Sequence, residues 1–228
     1  MLEKLFARFD NIIILDTETT GLNHKSDEII ELAMLRVTPE GCVNEYDEFI
    51  KLSPGRVLAP EITQLTGITP EMLETQGISK ASAAESLAEM MSLSKPLIVA
   101  YNTQFDIGFL YYLLLSNGRD EVLKNIKLFD AMTVYKDRRP FPHKLCNAIE
   151  AYSLDAQNSH RAIDDTLATY ELLKAMDAEC DDLDCYINLF GYNPKYGVSG
   201  QKVSSVTYLP QGYHNAEKLY TKAHSLTV

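Results

Sequence analysis

The alternation of apolar and polar positions divides the chain into short buried strands and longer helices. Ile12-Ile13-Ile14-Leu15 is a continuous apolar run, mostly β-branched, that breaks at Thr19-Thr20-Gly21. A short apolar run closed by a glycine predicts a strand covered on both faces. Residues 28–37 and 42–52 predict two further strands, and Pro39-Glu40-Gly41 between them predicts a tight turn. The three strands are therefore expected to form an antiparallel meander, with a short helix or arm over residues 2–9 in front of it.

Helical signals dominate the middle of the chain. Pro60 opens a short helix over 60–65, and Thr69-Pro70 supplies an N-cap and first turn for another. Ala84, Leu87, Ala88 and Met91 recur at helical spacing within 79–93. Residues 96–100 predict a buried strand, 103–115 a helix apolar on nearly every side and ending at Asn117-Gly118, and 126–129 a short strand. Helices are expected over 130–136, 143–152 and 162–177. Strand–helix alternation after residue 95 adds parallel strands to the meander and gives an α/β fold.

The composition shifts near residue 178. The region 178–228 holds six of the 13 tyrosines. Aromatic content of this kind suits a packed appendage better than a disordered tail. Within it, 181–190 and 216–224 are expected to be helical and 203–209 a strand. The domain division is thus 1–177, with 178–228 as a Tyr-rich C-terminal extension.

A net charge of −11 argues against broad coating of a duplex or an anionic membrane. It leaves open a polyanion bound at one metal-loaded site, where cations dominate the local field. Cys42, Cys146, Cys180 and Cys185 form no CxxC pair, which predicts reduced thiols in a cytoplasmic protein. Residues 1–10 do not resemble a signal peptide, and no run approaches the roughly 18 apolar residues of a membrane span.

Candidate chemistry begins at the end of the first strand. Asp16 and Glu18, two apart, project to the same side, where they repel and resist desolvation. A divalent cation is the simplest remedy. Asp106 lies in the first turn of the apolar helix, on the face of Leu110 and Leu113, near the carboxyl end of a strand. Asp165 shares its helix face with Ala168, Thr169, Leu172 and Met176, a more apolar set than Asp164 shares, so Asp165 is the inward carboxylate. His160 falls at the helix entrance. Four carboxylates suit Mg²⁺ or Mn²⁺ over zinc, for which His160 would be the one nitrogen ligand. Two such ions can hold a phosphodiester, and a histidine, ordinarily titrating near about pH 6.5, can take the proton of the attacking water.

Three segments carry a resemblance: LDTETTG at 15–21, NTQFDIGFL at 102–110 and HRAIDD at 160–165. Together they resemble the DnaQ-like 3′→5′ exonucleases, the DEDD group in its His-containing variety, over about residues 10–177. The resemblance implies an RNase H-like fold with a central mixed five-stranded sheet flanked by helices. It implies two ions held by Asp16, Glu18, Asp106 and Asp165, with His160 as general base. For the 3′-terminal nucleotide it implies contacts from Thr17, Thr19, Thr20, Gly21, Leu22, Leu65, Asn102 and Phe105, with Leu22 wedged against the base. Tyr101 stands where many relatives carry His.

The expected activity is release of 5′-monophosphates from the 3′ end of single-stranded or frayed DNA, with a DNA polymerase subunit as partner and the Tyr-rich extension as a docking candidate. An RNA 3′-exonuclease on the same site, a non-catalytic nucleic-acid-binding or polymerase scaffold, and an aspartyl-phosphate enzyme are the competing readings. Lys136, Arg138, Arg139, His143 and Lys144, interleaved with Tyr135 and Phe141, form the one basic cluster. It reads equally as a phosphate track or as a solvated loop.

Overall fold

The computed structural model describes residues 1–213 and 217–225. A one-turn helix, α1 (Glu3–Phe6), precedes β1 (Asn11–Thr19), β2 (Ile29–Thr38) and β3 (Gly41–Phe49). Next come α2 (Pro60–Thr66), α3 (Pro70–Thr75), α4 (Lys80–Met91), β4 (Pro96–Ala100), α5 (Thr103–Ser116) and β5 (Lys127–Asp130). The remaining elements are α6 (Ala131–Arg138), α7 (Leu145–Ala151), α8 (Ala162–Glu179), β6 (Leu189–Tyr192), β7 (Thr207–Pro210) and α9 (Leu219–Ser225). The main sheet runs β3-β2-β1-β4-β5. Its first two pairings are antiparallel and its last two parallel, which is the mixed five-stranded sheet of the RNase H-like fold.

Strand β1 is central because its residues alternate between two cores. Ile12 and Ile14 pack with Val99, Phe129 and the α8 residues Ala168, Leu172 and Met176. Ile13 and Leu15 pack on the other face with Leu87 of α4 and Leu110 and Leu114 of α5. Each buried aliphatic side chain contributes about 1.5–3 kcal/mol, so both faces lock the strand in place. The same alternation sends Asp16 and Glu18 toward α8 and Thr17 toward α5.

One carboxylate ties the parallel half together. Asp130, buried at the carboxyl end of β5, accepts the Met132 amide (3.2 Å) and the Thr133 hydroxyl (2.6 Å) at the start of α6. It also accepts the Asn102 and Thr103 amides (2.9 and 3.2 Å), where Asn102 takes φ 71° to turn β4 into α5.

Segment 181–190 departs from its expected helix. A 3₁₀ turn at Leu183–Tyr186 gives way to β6, which pairs in parallel with β7. Asn188, at φ 57°, stops the turn and covers the edge of β5. Its amide donates to the Leu128 carbonyl (2.8 Å), and its Oδ1 accepts the Leu128 amide (2.7 Å). Strand β7 starts at Thr207 and not at 203, and residue 216 of the expected last helix lies outside the described residues. Leu183, Tyr186, Leu189, Leu209 and Leu219 are buried in the core that α8 faces. The four cysteines are free and exposed. Among the described residues no helix is long and apolar enough to cross a membrane.

Replacing Asp130 by Ala leaves four donors at two helix starts without their charged acceptor. We expect a loss of about 3 kcal/mol in urea unfolding, since buried hydrogen bonds to charged groups are worth about 1.5–3 kcal/mol each but overlap in effect.

Candidate active site

Strand β1 ends in two half-buried carboxylates, Asp16 and Glu18. Asp165, in the first turn of α8, is 7% exposed, while His160 sits in the loop just before it, exposed and at φ 58°. One carboxylate oxygen each from Glu18 and Asp165 and one ring nitrogen of His160 lie within 4.8 Å of one another. Asp106 arrives from the opposite side of the sheet. Its Oδ1 accepts both the Thr17 amide (3.1 Å) and the Thr17 hydroxyl (2.8 Å). The strand alternation therefore places Asp16 and Glu18 toward α8 and clips Asp106 to Thr17 on the odd-numbered face.

Charge crowding dominates the electrostatics. Burial, then Asp106, Asp165 and Glu18, push the Asp16 carboxyl well above the ordinary range. Burial, reinforced by Asp165, Glu31 and Asp106, pushes Glu18 up to about 8. Burial raises Asp106 to about 7 despite the Thr17 hydrogen bonds, and Asp165 to about 6 despite Asn158 and His160. Two charges at this spacing repel by about 3 kcal/mol at an effective dielectric near 20. Asp165 Oδ2 accepts from Asn158 Nδ2 (2.6 Å), but its buried Oδ1 has no hydrogen-bond partner among the described residues. Converging oxygens, an orphaned carboxylate atom and one imidazole fit hard divalent cations.

Several supporting residues carry no motif signal. Glu31 of β2, fully buried, lies directly across from Glu18. Its Oε1 accepts Arg161 Nε (2.8 Å) and Nη2 (2.6 Å), and its Oε2 accepts the Ala162 amide (2.8 Å). The Arg161 guanidinium also lies 5.0 Å from the Phe49 ring centroid. This clamp fixes the start of α8 on the sheet, immediately beside His160. The usable signal was a lone carboxylate inside the apolar run of β2.

The residues expected at a terminal nucleotide are distributed unevenly. Thr19 is buried and its hydroxyl donates to the Gly21 carbonyl (2.7 Å), while Thr20 Oγ1 accepts the Glu28 amide (3.0 Å). A side chain at Gly21 would overlap the Asp27 carboxylate. Leu22 and Leu65 stand exposed, at 83% and 51%. Asn102 holds the β4–α5 turn. Phe105 packs its ring against Phe109 (5.1 Å) and His24 (5.7 Å). Tyr101 donates its hydroxyl to the His143 carbonyl (2.8 Å).

A sequence profile of the RNase_T family, described as exonuclease, matches residues 13–173. The chain belongs to the exonuclease family. The resemblance to the DnaQ-like enzymes is thereby borne out. Among its relatives, DNA polymerase III PolC-type of Thermotoga petrophila is 35% identical over 171 residues, covering 73% of this chain and 12% of that protein. The Latilactobacillus sakei protein of the same name is 33% identical over 189 residues, covering 82% and 12%. The chain thus spans about an eighth of the length of these relatives. Escherichia coli exonuclease I, in complex with a dT13 oligonucleotide, superposes with TM-score 0.67 at 20% identity, over 76% of this chain and 43% of that one. Its zinc-bound form in complex with single-stranded DNA gives TM-score 0.71 at 21% identity, over 78% and 42%. Both share the fold of this exonuclease domain.

The raised carboxyl pKa values fix a sign. A carboxyl whose folded pKa exceeds its unfolded value stabilises the fold while protonated, and that stability is lost as pH rises. The metal-free protein should therefore lose stability between about pH 4 and pH 8 as Asp165, Asp106 and Glu18 ionise in turn. Thermal melting in EDTA checks this: Tm should fall from pH 6 to pH 8, and added Mn²⁺ should raise it more at pH 8 than at pH 6.

Proposed function

We propose that the chain is a metal-dependent 3′→5′ exonuclease that removes nucleoside 5′-monophosphates from the 3′ end of single-stranded or frayed DNA. The observation that carries this reading is the cluster of Glu18, Asp165 and His160, whose candidate ligand atoms lie within 4.8 Å of one another, with Asp106, Asp165 and Glu18 all raising the carboxyl pKa of Asp16. Family membership supports exonuclease chemistry, and the relatives named as DNA polymerases favour DNA over RNA.

Asp16, Glu18, Asp106 and Asp165 would hold two divalent ions, Mg²⁺ or Mn²⁺. When bound, such ions offset the carboxylate charge, grip the scissile phosphodiester and acidify water. His160 takes the proton of the water that attacks the terminal phosphorus. The bond to the 3′ oxygen of the preceding nucleotide breaks, that oxygen takes a proton from solvent to become the new 3′ hydroxyl, and the terminal nucleotide leaves as its 5′-monophosphate. Glu31 acts through Arg161 and the Ala162 amide to hold His160 in position. Leu22 wedges against the terminal base, with Thr17, Thr19, Thr20, Gly21, Leu65, Asn102 and Phe105 forming its surroundings. A polymerase partner, and proofreading as the setting, are suggested by the names of the relatives. An acidic domain with few cationic contacts gains grip on DNA from such a partner.

The test is nucleotide release from end-labelled DNA and RNA of equal sequence, with Mg²⁺, Mn²⁺ and Zn²⁺ compared. Asp16→Ala or Asp165→Ala should lower kcat by about 1000-fold, the scale of several kcal/mol of lost charge stabilisation. His160→Ala should lower it by about 10²–10⁴-fold. Unchanged turnover in Asp16→Ala or Asp165→Ala would overturn the assignment, and faster release from RNA would move the substrate.

A further inference from the structure

The basic cluster at 136–144 is divided by the fold. Arg138 is spent on structure: its guanidinium bonds the Met176 and Cys180 carbonyls at the end of α8 and pairs with Glu179 and Asp182. Arg139 pairs with Glu179 (2.8 Å) and lies 4.5 Å from the Tyr152 ring centroid. Neither is offered to a ligand. Lys136 and Lys144 instead line a cleft of about 260 Å³. The C-terminal extension builds its other wall.

Aromatic rings dominate that cleft. Phe141, Tyr196 and Tyr213 are 61%, 72% and 47% exposed. The Phe141 and Tyr213 rings meet edge to face at 4.9 Å, and His143 stacks on Tyr213 at 6.2 Å. Lys195 Nζ adds a cation 5.1 Å from the Tyr196 ring centroid. Among the described residues no carboxylate lines the cleft, in a chain whose net charge is −11. Burial lowers the Lys136 pKa, a cost that an incoming anion reverses. The bond from the Tyr101 hydroxyl to the His143 carbonyl ties the cleft wall to the residue before the β4–α5 turn.

We propose that this cleft is a binding site for single-stranded polynucleotide, in which Phe141, Tyr196 and Tyr213 stack on bases while Lys136 and Lys144 meet phosphates. Exposed rings beside cations are the combination that grips single strands without reading sequence. The inference rests on the exonuclease reading only for the polarity of the strand, whose 3′ end that reading assigns to the carboxylates. An acidic protein segment is the rival occupant, but it offers no flat faces for three exposed rings.

Fluorescence anisotropy in EDTA, with a labelled 15-residue oligothymidylate and a labelled dinucleotide, tests the site apart from hydrolysis. The native protein should bind the 15-mer well above the dinucleotide. Phe141→Ala and Tyr213→Ala should each weaken the 15-mer about tenfold, with Tyr213→Phe close to native. Lys136→Gln combined with Lys144→Gln should reduce the slope of log K against log salt by about 1.4, about 0.7 for each lost phosphate contact. Equal affinity for the two oligonucleotides, or variants that bind the 15-mer with native affinity and slope, would overturn the proposal. So would an acidic peptide that occupies the cleft without displacing the 15-mer. Cleft-dependent binding without nucleotide release in Mn²⁺ would instead defeat the exonuclease reading alone.

Discussion

Carboxylates taken out of water repel one another, and this fold brings Asp106, Asp165 and Glu18 close enough to Asp16 to raise its carboxyl pKa. Asp16 and Glu18 are fixed by the two-sided burial of β1, Asp106 by Thr17, and Asp165 by Asn158 and the first turn of α8. Beside them Glu31 adds a fifth negative charge, matched by Arg161. Structure of this kind is stable only if protons or cations absorb the charge. That is why Glu18, Asp106 and Asp165 hold protons at pH values where exposed carboxyls have lost them. The rest of the molecule can be understood as the scaffold that makes the repulsion tolerable.

The candidate carboxylates were legible in the sequence because their signals are local. An apolar run ending in Asp-x-Glu, an Asp in the first turn of a helix, and a choice between Asp164 and Asp165 decided by helix-face polarity all follow from periods of two and 3.6. The structure buries Asp165, as the face comparison predicts, and Asp164 accepts a hydrogen bond from the Ser159 hydroxyl. Glu31 shows in the sequence as a lone carboxylate in an apolar run, but what the supports hold depends on register. Glu31 matters through its place opposite Glu18 on the next strand, and Asp130 through two helix starts that meet only after β4 and β5 pair. Nothing in a single strand reveals its neighbour.

The extension after α8 shows the same limit. Segment 181–190 is expected to be helical, yet Asn188 turns it into an edge cover for β5, because the open backbone of an edge strand competes for hydrogen-bond partners. Its tyrosines split accordingly: Tyr186 is fully buried, whereas Tyr196 and Tyr213 face solvent at the cationic cleft. Arg138, legible only as a positive charge, belongs to the interior contacts of the same extension. Burial, and not charge, separates the residues that hold the fold from those available to a ligand.

Divalent cations would offset the charge of the crowded carboxylates at the end of β1. Isothermal titration of Mn²⁺ at pH 7, in two buffers of different ionisation enthalpy, measures stoichiometry and proton release together. Two ions per chain should bind the native protein, with protons released as they bind, and binding should be lost in Asp16→Asn. Absence of Mn²⁺ binding, or binding without proton release that survives in Asp16→Asn, would contradict it.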